Sequence, residues 1–438
     1  MNLTNSGVRS LFAALPLGRC RAPWRFAPGL LGLCSLLWGL LWVGDASAYA
    51  WMIRHDYAAC GTCHADPSGG ELLTRYGRVT SDLVLRTRYG KEAKEEGNPD
   101  AGVLWGALDM PDPLLLSGAF RNMYVITPNR KGDVFSIIPI MQADLYAQLR
   151  FGNFTMGGSL GMAKVPVGSP HARAAQVSVN QGDGINLISR SHYLGYDIGS
   201  EFVLRAGRLN LPFGVRIPEH TAWVREFTRT DRESDQQHGL ALSYTSEHLR
   251  AEGMVIAGNY QTKLRPDGQF SDFSTDAVRE RGYSLYVEGL GSTSFAAGVT
   301  SKVTYARLDP LTFDEDMVRQ AHGLTLRWAP HKTFSIMSEM DLLLRTRASA
   351  GYVGFAQADY EPIQGLHLLL TGELLDEGVA QASVDDPPHV AVPGLGQPRV
   401  GGWFSVDWFF FRQMELRTDV LVRQDEDVQL LSQFHLYL

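Results

Sequence analysis

Residues 141–150 read Met-Gln-Ala-Asp-Leu-Tyr-Ala-Gln-Leu-Arg and change polarity at every step. Met141, Ala143, Leu145, Ala147 and Leu149 fall on one side of an extended chain, and Gln142, Asp144, Tyr146, Gln148 and Arg150 on the other. Successive side chains of a strand point to opposite faces, so this period of two predicts a β-strand with one apolar and one polar face. The pattern returns near the C-terminus. In 415–423, Leu416, Thr418, Val420 and Val422 oppose Glu415, Arg417, Asp419 and Arg423, with Leu421 as the exception. In the last strand Val428, Leu430, Phe434, Leu436 and Leu438 share a face, against Gln429, Gln433 and His435.

A soluble sandwich also alternates, so the period alone does not select a membrane protein. Four further features do. The strands run to about ten residues, as tilted membrane strands must. Their charges keep to one face, as expected where that face lines a polar lumen and the other meets lipid. Short turns, near Gly152-Asn153, Glu247-His248, Gly291-Ser292, Pro330-His331, 362–364 and Arg412-Gln413, alternate with long polar connections near 164–172, 210–236, 263–281, 306–317 and 377–398. Finally, the chain ends inside a strand. These features predict an all-β transmembrane barrel of about sixteen antiparallel strands over residues 115–438. The fourth strand is expected at 172–186 and the fifth at 198–209; the weak signal over 172–200 leaves fourteen or eighteen open. An even count puts both barrel ends on the periplasmic side.

The run 205–214, Arg-Ala-Gly-Arg-Leu-Asn-Leu-Pro-Phe-Gly, resembles the segment of outer-membrane porins where a strand folds into a constriction loop. Arg216, Arg225, Arg229 and Arg232 follow, mixed with Glu219, Glu226, Asp231, Glu233 and Asp235. These charges either line a channel or keep an outer loop wet. The final aromatic usual in porins is missing, because Leu438 follows Tyr437.

Ahead of the barrel, Arg9, Arg19, Arg21 and Arg25 precede the apolar run Leu30–Val43 and the small residues Ala46, Ser47, Ala48 and Ala50. That order reads as a secretory signal peptide over residues 1–50, cut after Ala48 or Ala50; the run is shorter than the ~20 residues of a membrane anchor. Its removal takes four Arg against one Asp, so the net charge of −7 becomes −10. A basic nucleic-acid surface is excluded on that balance. Of four cysteines, only Cys60 and Cys63 stay with the mature chain.

Those two open the sequence Cys60-Gly-Thr-Cys63-His64, the C-x-x-C-H arrangement of c-type haem attachment. Two thiols three residues apart add to the two vinyl groups of a porphyrin, and the adjacent imidazole ligates its iron. A redox dithiol would need a βαβ setting, and a structural zinc site further Cys or His partners nearby; neither surrounds this one. For the sixth position, His55, the nearest imidazole, is the leading candidate; Met52 and Met110 are the thioether candidates, His248 and His331 lie in inferred turns, and an empty or externally supplied position stays open. Apolar residues Leu72, Leu73, Tyr76, Val79, Leu83 and Val84 predict a helical face over 71–89 that covers one side of the haem. Residues 91–101 read as a linker.

The segment from His55 through Cys60, Cys63, His64 and Pro67 to Gly70, with Leu72-Leu73-Thr74-Arg75-Tyr76-Gly77-Arg78, resembles the haem segment of bacterial monohaem proteins in which a cytochrome c head precedes an outer-membrane, porin-like barrel. The likeness covers about 30 residues. It implies a small, mostly α-helical cytochrome c domain with its linker over 51–114, one covalent haem c, and a bacterial outer-membrane location with the haem domain periplasmic.

No Ser-His-Asp set, catalytic carboxylate pair, Gly-rich phosphate loop or HExxH stands out, and no catalytic residue is assigned; an electron carrier is expected before a catalyst. Three functions are consistent with the sequence. The first is electron transfer through one haem at the periplasmic face, with partner cytochromes, because one haem cannot bridge a membrane ~40 Å thick. The second is a porin whose haem domain plugs, senses or anchors. The third is a barrel that scaffolds another cytochrome.

Overall fold

The computed structural model describes residues 50–57, 59–89, 102–108, 110–128, 134–164, 175–178, 185–219, 221–259, 262–264, 270–272, 279–309, 315–379 and 397–438. The expected leader, save its last residue, and the 91–101 linker lie outside them.

One antiparallel sheet accounts for nearly every strand. Its first member, Leu114–Pro128, pairs with its last, Gln429–Tyr437, from Ala119 opposite Tyr437 to Ile126 opposite Leu430. The sheet therefore closes on itself and leaves no edge. Eighteen segments make sixteen staves, because two staves are interrupted: Val134–Ile137 continues as Ile140–Phe151, and Ile185–Ile188 continues as His192–Ile198. Seven connections at one end are turns of a few residues. Long connections, among them 210–236, occupy the other end. The short-turn end is the periplasmic end by the rule for such barrels.

Fifteen of the sixteen expected strands overlap their observed counterparts closely. The fourth does not. It lies at 185–198 rather than 172–186, and the strand after it begins at Phe202. Two local features hid it. Ser189, Arg190 and Ser191 break its alternation, and Arg190 turns in to meet Asp144 at 2.8 Å. The turn beyond it uses Gly199 at φ 69°, the left-handed conformation that glycine adopts at no steric cost.

The wall is apolar outside and charged inside. Leu145, Val255 and Leu370 are each more than 60% exposed, whereas Asp144, Glu288, Asp359 and Arg417 are buried. A wall of this polarity suits hydrocarbon, where every backbone group must be paired within the sheet. Exposed aromatics flank the short turns, among them Phe151, Phe154, Phe202, Trp328, Tyr360 and Phe411. They form the girdle expected at a membrane interface. No described helix is long and apolar enough to cross a membrane.

Two segments fill the lumen. The first is the connection 210–236. It folds inward behind buried Leu211, Phe213, Val215 and Ile217 and carries the short helix Trp223–Thr228. Glu339 accepts from Val215 N at 2.6 Å and meets Arg225 at 2.9 Å, while Glu373 accepts from Trp223 N at 2.8 Å. The charges of this loop thus line the lumen, and the alternative of an outer wetted loop falls.

The second is the segment 50–89, which does not stand as a separate domain at the periplasmic face. Trp51, Met52 and Leu85 join Val215 and Trp223 of the loop and Phe355, Trp403, Phe409 and Leu421 of the wall in one buried cluster. Leu421 breaks the alternation of its strand because this cluster replaces water at that point of the lumen. Near the short turns, Phe409 O accepts from Thr87 N at 2.9 Å, and Gln364 Nε2 donates to Arg86 O at 2.9 Å. Gly365, at φ 81°, lets the chain pass there: a Cβ would sit 2.2 Å from Leu85 O.

The segment is also less helical than expected. Its one α-helix is Arg75–Val84, capped by Thr74, whose side chain accepts from Gly77 N; short 3-10 turns cover Ala50–His55 and Cys60–Thr62. Leu72 and Leu73 precede the helix, and Tyr76 and Leu83 are exposed, so the predicted apolar stripe is not its buried face. Gly77, Arg78 and Thr80 are.

Candidate functional site

The turn Cys60–Thr62 is closed by His64 N donating to Cys60 O at 3.0 Å, which brings both thiols and the imidazole onto one short coil. Thr74 N then donates to Cys63 O at 2.8 Å, and the helix Arg75–Val84 settles against the motif. The contact is close. A Cβ on Gly77 would lie 2.1 Å from Cys63 O. Gly77→Ala is therefore expected to loosen this packing by about 1–3 kcal/mol, seen as faster proteolysis within residues 50–89 of the folded barrel.

Both cysteines are buried and free. Cys60 Sγ accepts from Arg250 Nη1 of the wall at 2.9 Å. Burial, with the neighbouring Cys60, pushes the Cys63 thiol up to about 12. Burial and the nearby Arg232 lower the His64 imidazole to about 4, which keeps it neutral, the form that binds metals.

The next turn pins the motif to the inner wall. Asp66 accepts from Ser68 N and Oγ at 2.9 and 2.8 Å, meets Arg205 of the wall at 2.8 Å, and accepts from Asn210 Nδ2 at 3.1 Å. Burial alone would raise its carboxyl, but Arg205 and Arg216 hold it down at about 2. Glu71 accepts from Ser191 Oγ at 2.5 Å and Asn210 Nδ2 at 3.1 Å.

Cys63 and His64 face a cavity that opens to solvent inside the barrel. Its lining combines apolar residues, among them Trp51, Met52, Leu85 and Phe409, with charged ones of both signs, among them Arg216, Arg232, Asp231 and Glu415. Among the sixth-position candidates, only Met52 lines it. His55 sits apart, its Nε2 3.4 Å from Glu361 and 3.3 Å from Arg54 Nε. Met110 offers its carbonyl to Arg75 at 2.6 Å, and His331 contacts Thr333 in an exposed turn.

The structure adds a residue the sequence gave no reason to choose. His435, on the inner face of the last strand, lines the same cavity. Its Nδ1 lies 3.0 Å from Glu415 Oε2, while its Nε2 is buried and has no hydrogen-bond partner. A carboxylate on one ring nitrogen with the other left open is the usual dress of a metal-binding histidine. The alternation of 428–438 already put His435 on the polar face; that it lines the same cavity as His64 depends on the plug. Among the described residues, no three His, Cys, Asp or Glu side chains gather into a metal site.

Fold and site together define a sixteen-stranded antiparallel barrel of porin type, with an inward loop and an N-terminal plug that carries C-x-x-C-H. Solved structures similar to it in fold include OmpF of Salmonella typhi in complex with daunomycin, at TM-score 0.52 and 11% identity over 76% of this chain and 100% of that one. The trimer form of in-vitro folded OmpT, an outer membrane protein of Vibrio cholerae, gives 0.52 at 10% identity over 74% and 99%. OmpT of Vibrio cholerae expressed in the outer membrane gives 0.51 at 9% over 76% and 100%. These likenesses are of fold. No protein-family model and no curated protein matches the sequence.

Proposed function

We propose that this chain is a bacterial outer-membrane channel of porin type whose lumen is plugged by its own N-terminal segment, and that the plug carries one covalent haem c. The observation that carries the first half is the anchoring of the plug. Arg54 is buried against the inner wall, where it pairs with Asp359 and approaches Glu361 at 3.1 Å and His367 Nδ1 at 2.8 Å. A segment merely passing the barrel mouth would leave that arginine in water.

The residues present fit the haem. Cys60 and Cys63 are unpaired thiols at the attachment spacing, His64 is a neutral imidazole facing a large cavity, and Arg216 and Arg232 offer the geometry that carboxylates such as propionates prefer. When bound, the group supplies a one-electron couple. The chain's part would be to hold it and to shield one side with Trp51, Leu85 and Phe409. Electron exchange with partner cytochromes remains the second reading, favoured by the motif's position. A haem inside the lumen is shielded from lipid and nearer the far face than one on a periplasmic domain.

Acid-acetone extraction of the purified protein tests the attachment. Pigment is expected to stay with the polypeptide and to be lost from Cys60→Ala and Cys63→Ala. Extraction of all pigment from the parent protein would overturn the haem half and leave the plugged barrel standing.

A further inference from the structure

On the outer face of the wall, His192 and His238 stand on either side of Arg208 in register. They share the face of exposed Leu194 and Leu240, and their rings lie 5.2 Å apart with Nε2 atoms separated by 3.2 Å. Their tautomers follow from their neighbours. Asn259 Nδ2 donates to Gln236 O at 2.9 Å, which turns its Oδ1 toward His238 Nδ1 at 3.1 Å. That oxygen only accepts, so His238 Nδ1 carries the proton. Ser189 Oγ lies 3.1 Å from His192 Nδ1 and 3.3 Å from Ser191 O, and its single proton goes to one of them. When it goes to Ser191 O, His192 Nδ1 is the donor to Ser189 and each Nε2 is left with a lone pair pointing at the other.

Two lone pairs at 3.2 Å repel unless a cation lies between them. A shared proton would serve, at a separation that is at the long end of the hydrogen-bond range. A metal ion fits the spacing better. With metal–nitrogen bonds of about 2.0–2.1 Å, nitrogens this far apart subtend about 100–106° at the ion, near the tetrahedral value. We propose that His192 and His238 form a two-imidazole site for a divalent first-row transition metal, of the zinc or copper class, with water at the remaining positions. Ser189 and Asn259 act as positioning residues, each fixing a ring through its outer nitrogen. The site lies on the outer face of the wall and is independent of the haem reading.

The test uses the full-length barrel folded in detergent, stripped with chelator, and titrated separately with Zn²⁺ and Cu²⁺. Calorimetry is expected to show a stoichiometric site that disappears in His192→Ala and in His238→Ala. Asn259→Ala is expected to weaken it about 10- to 100-fold. The Cu²⁺ form should show two nitrogen ligands by electron paramagnetic resonance, and the heat-dependent gel shift checks that each variant barrel is closed. Isotherms that are the same in folded His192→Ala and the parent, or no binding to the parent, would overturn the site and leave the pair as a shared-proton hydrogen bond.

Discussion

Arg54→Ala in the full-length protein is expected to cost about 3–5 kcal/mol of plug docking and to raise the ion conductance of the barrel in planar bilayers. Arg54 and Asp359 are both buried without exposed side-chain surface, and Glu361 is nearly so. Removing the guanidinium leaves two carboxylates in a lumen closed by the plug, and a buried charge without its partner is far costlier than the pair is stabilising. The cation also lies 4.8 Å above the Trp51 ring, so its loss loosens the apolar cluster that joins plug, loop and wall. The least costly relief is for residues 50–89 to leave the lumen and let water in. The double variant Arg54→Met with Asp359→Asn removes both charges and should dock better than Arg54→Ala, a coupling that separates lost pairing from lost bulk. If Arg54→Ala conducts no more than the parent and its plug is no more accessible to protease, the plugged-channel reading fails.

The second large effect concerns the haem iron's sixth position. On the haem reading, His435→Ala is expected to convert a low-spin spectrum to high-spin and to admit carbon monoxide, while His55→Ala leaves both unchanged. His435 presents a buried, unpartnered Nε2 to the cavity shared with His64, and Glu415 holds its other nitrogen. His55 spends its Nε2 on Glu361 and Arg54, outside that cavity. The reverse outcome would restore His55. A methionine-to-iron charge-transfer band in the parent would instead assign Met52, the thioether on the cavity wall. Glu415→Gln should weaken the His435 interaction without abolishing it, because the ring keeps its place on the strand and loses only the carboxylate that orients it.

Much of this was legible in the chain. The alternation in 141–150 and 415–423 specified strand, face and membrane polarity, because side-chain direction in a strand depends only on sequence parity. Even the odd residue, Leu421, was visible as a break. The C-x-x-C-H motif was legible because the attachment chemistry it would serve needs neighbours in sequence: two thiols and an imidazole on one turn. Three things needed the folded molecule. The fourth strand was displaced because Arg190 enters the lumen, a demand set by Asp144 on another strand. The plug's place was settled by Arg54 meeting Asp359, and Asp66 meeting Arg205, partners more than a hundred residues apart that no local period encodes. The contact of His192 with His238, and the cavity that His64 and His435 both line, arise the same way. Sequence parity says which face a side chain takes, but closing the barrel and filling it decide which side chains meet there.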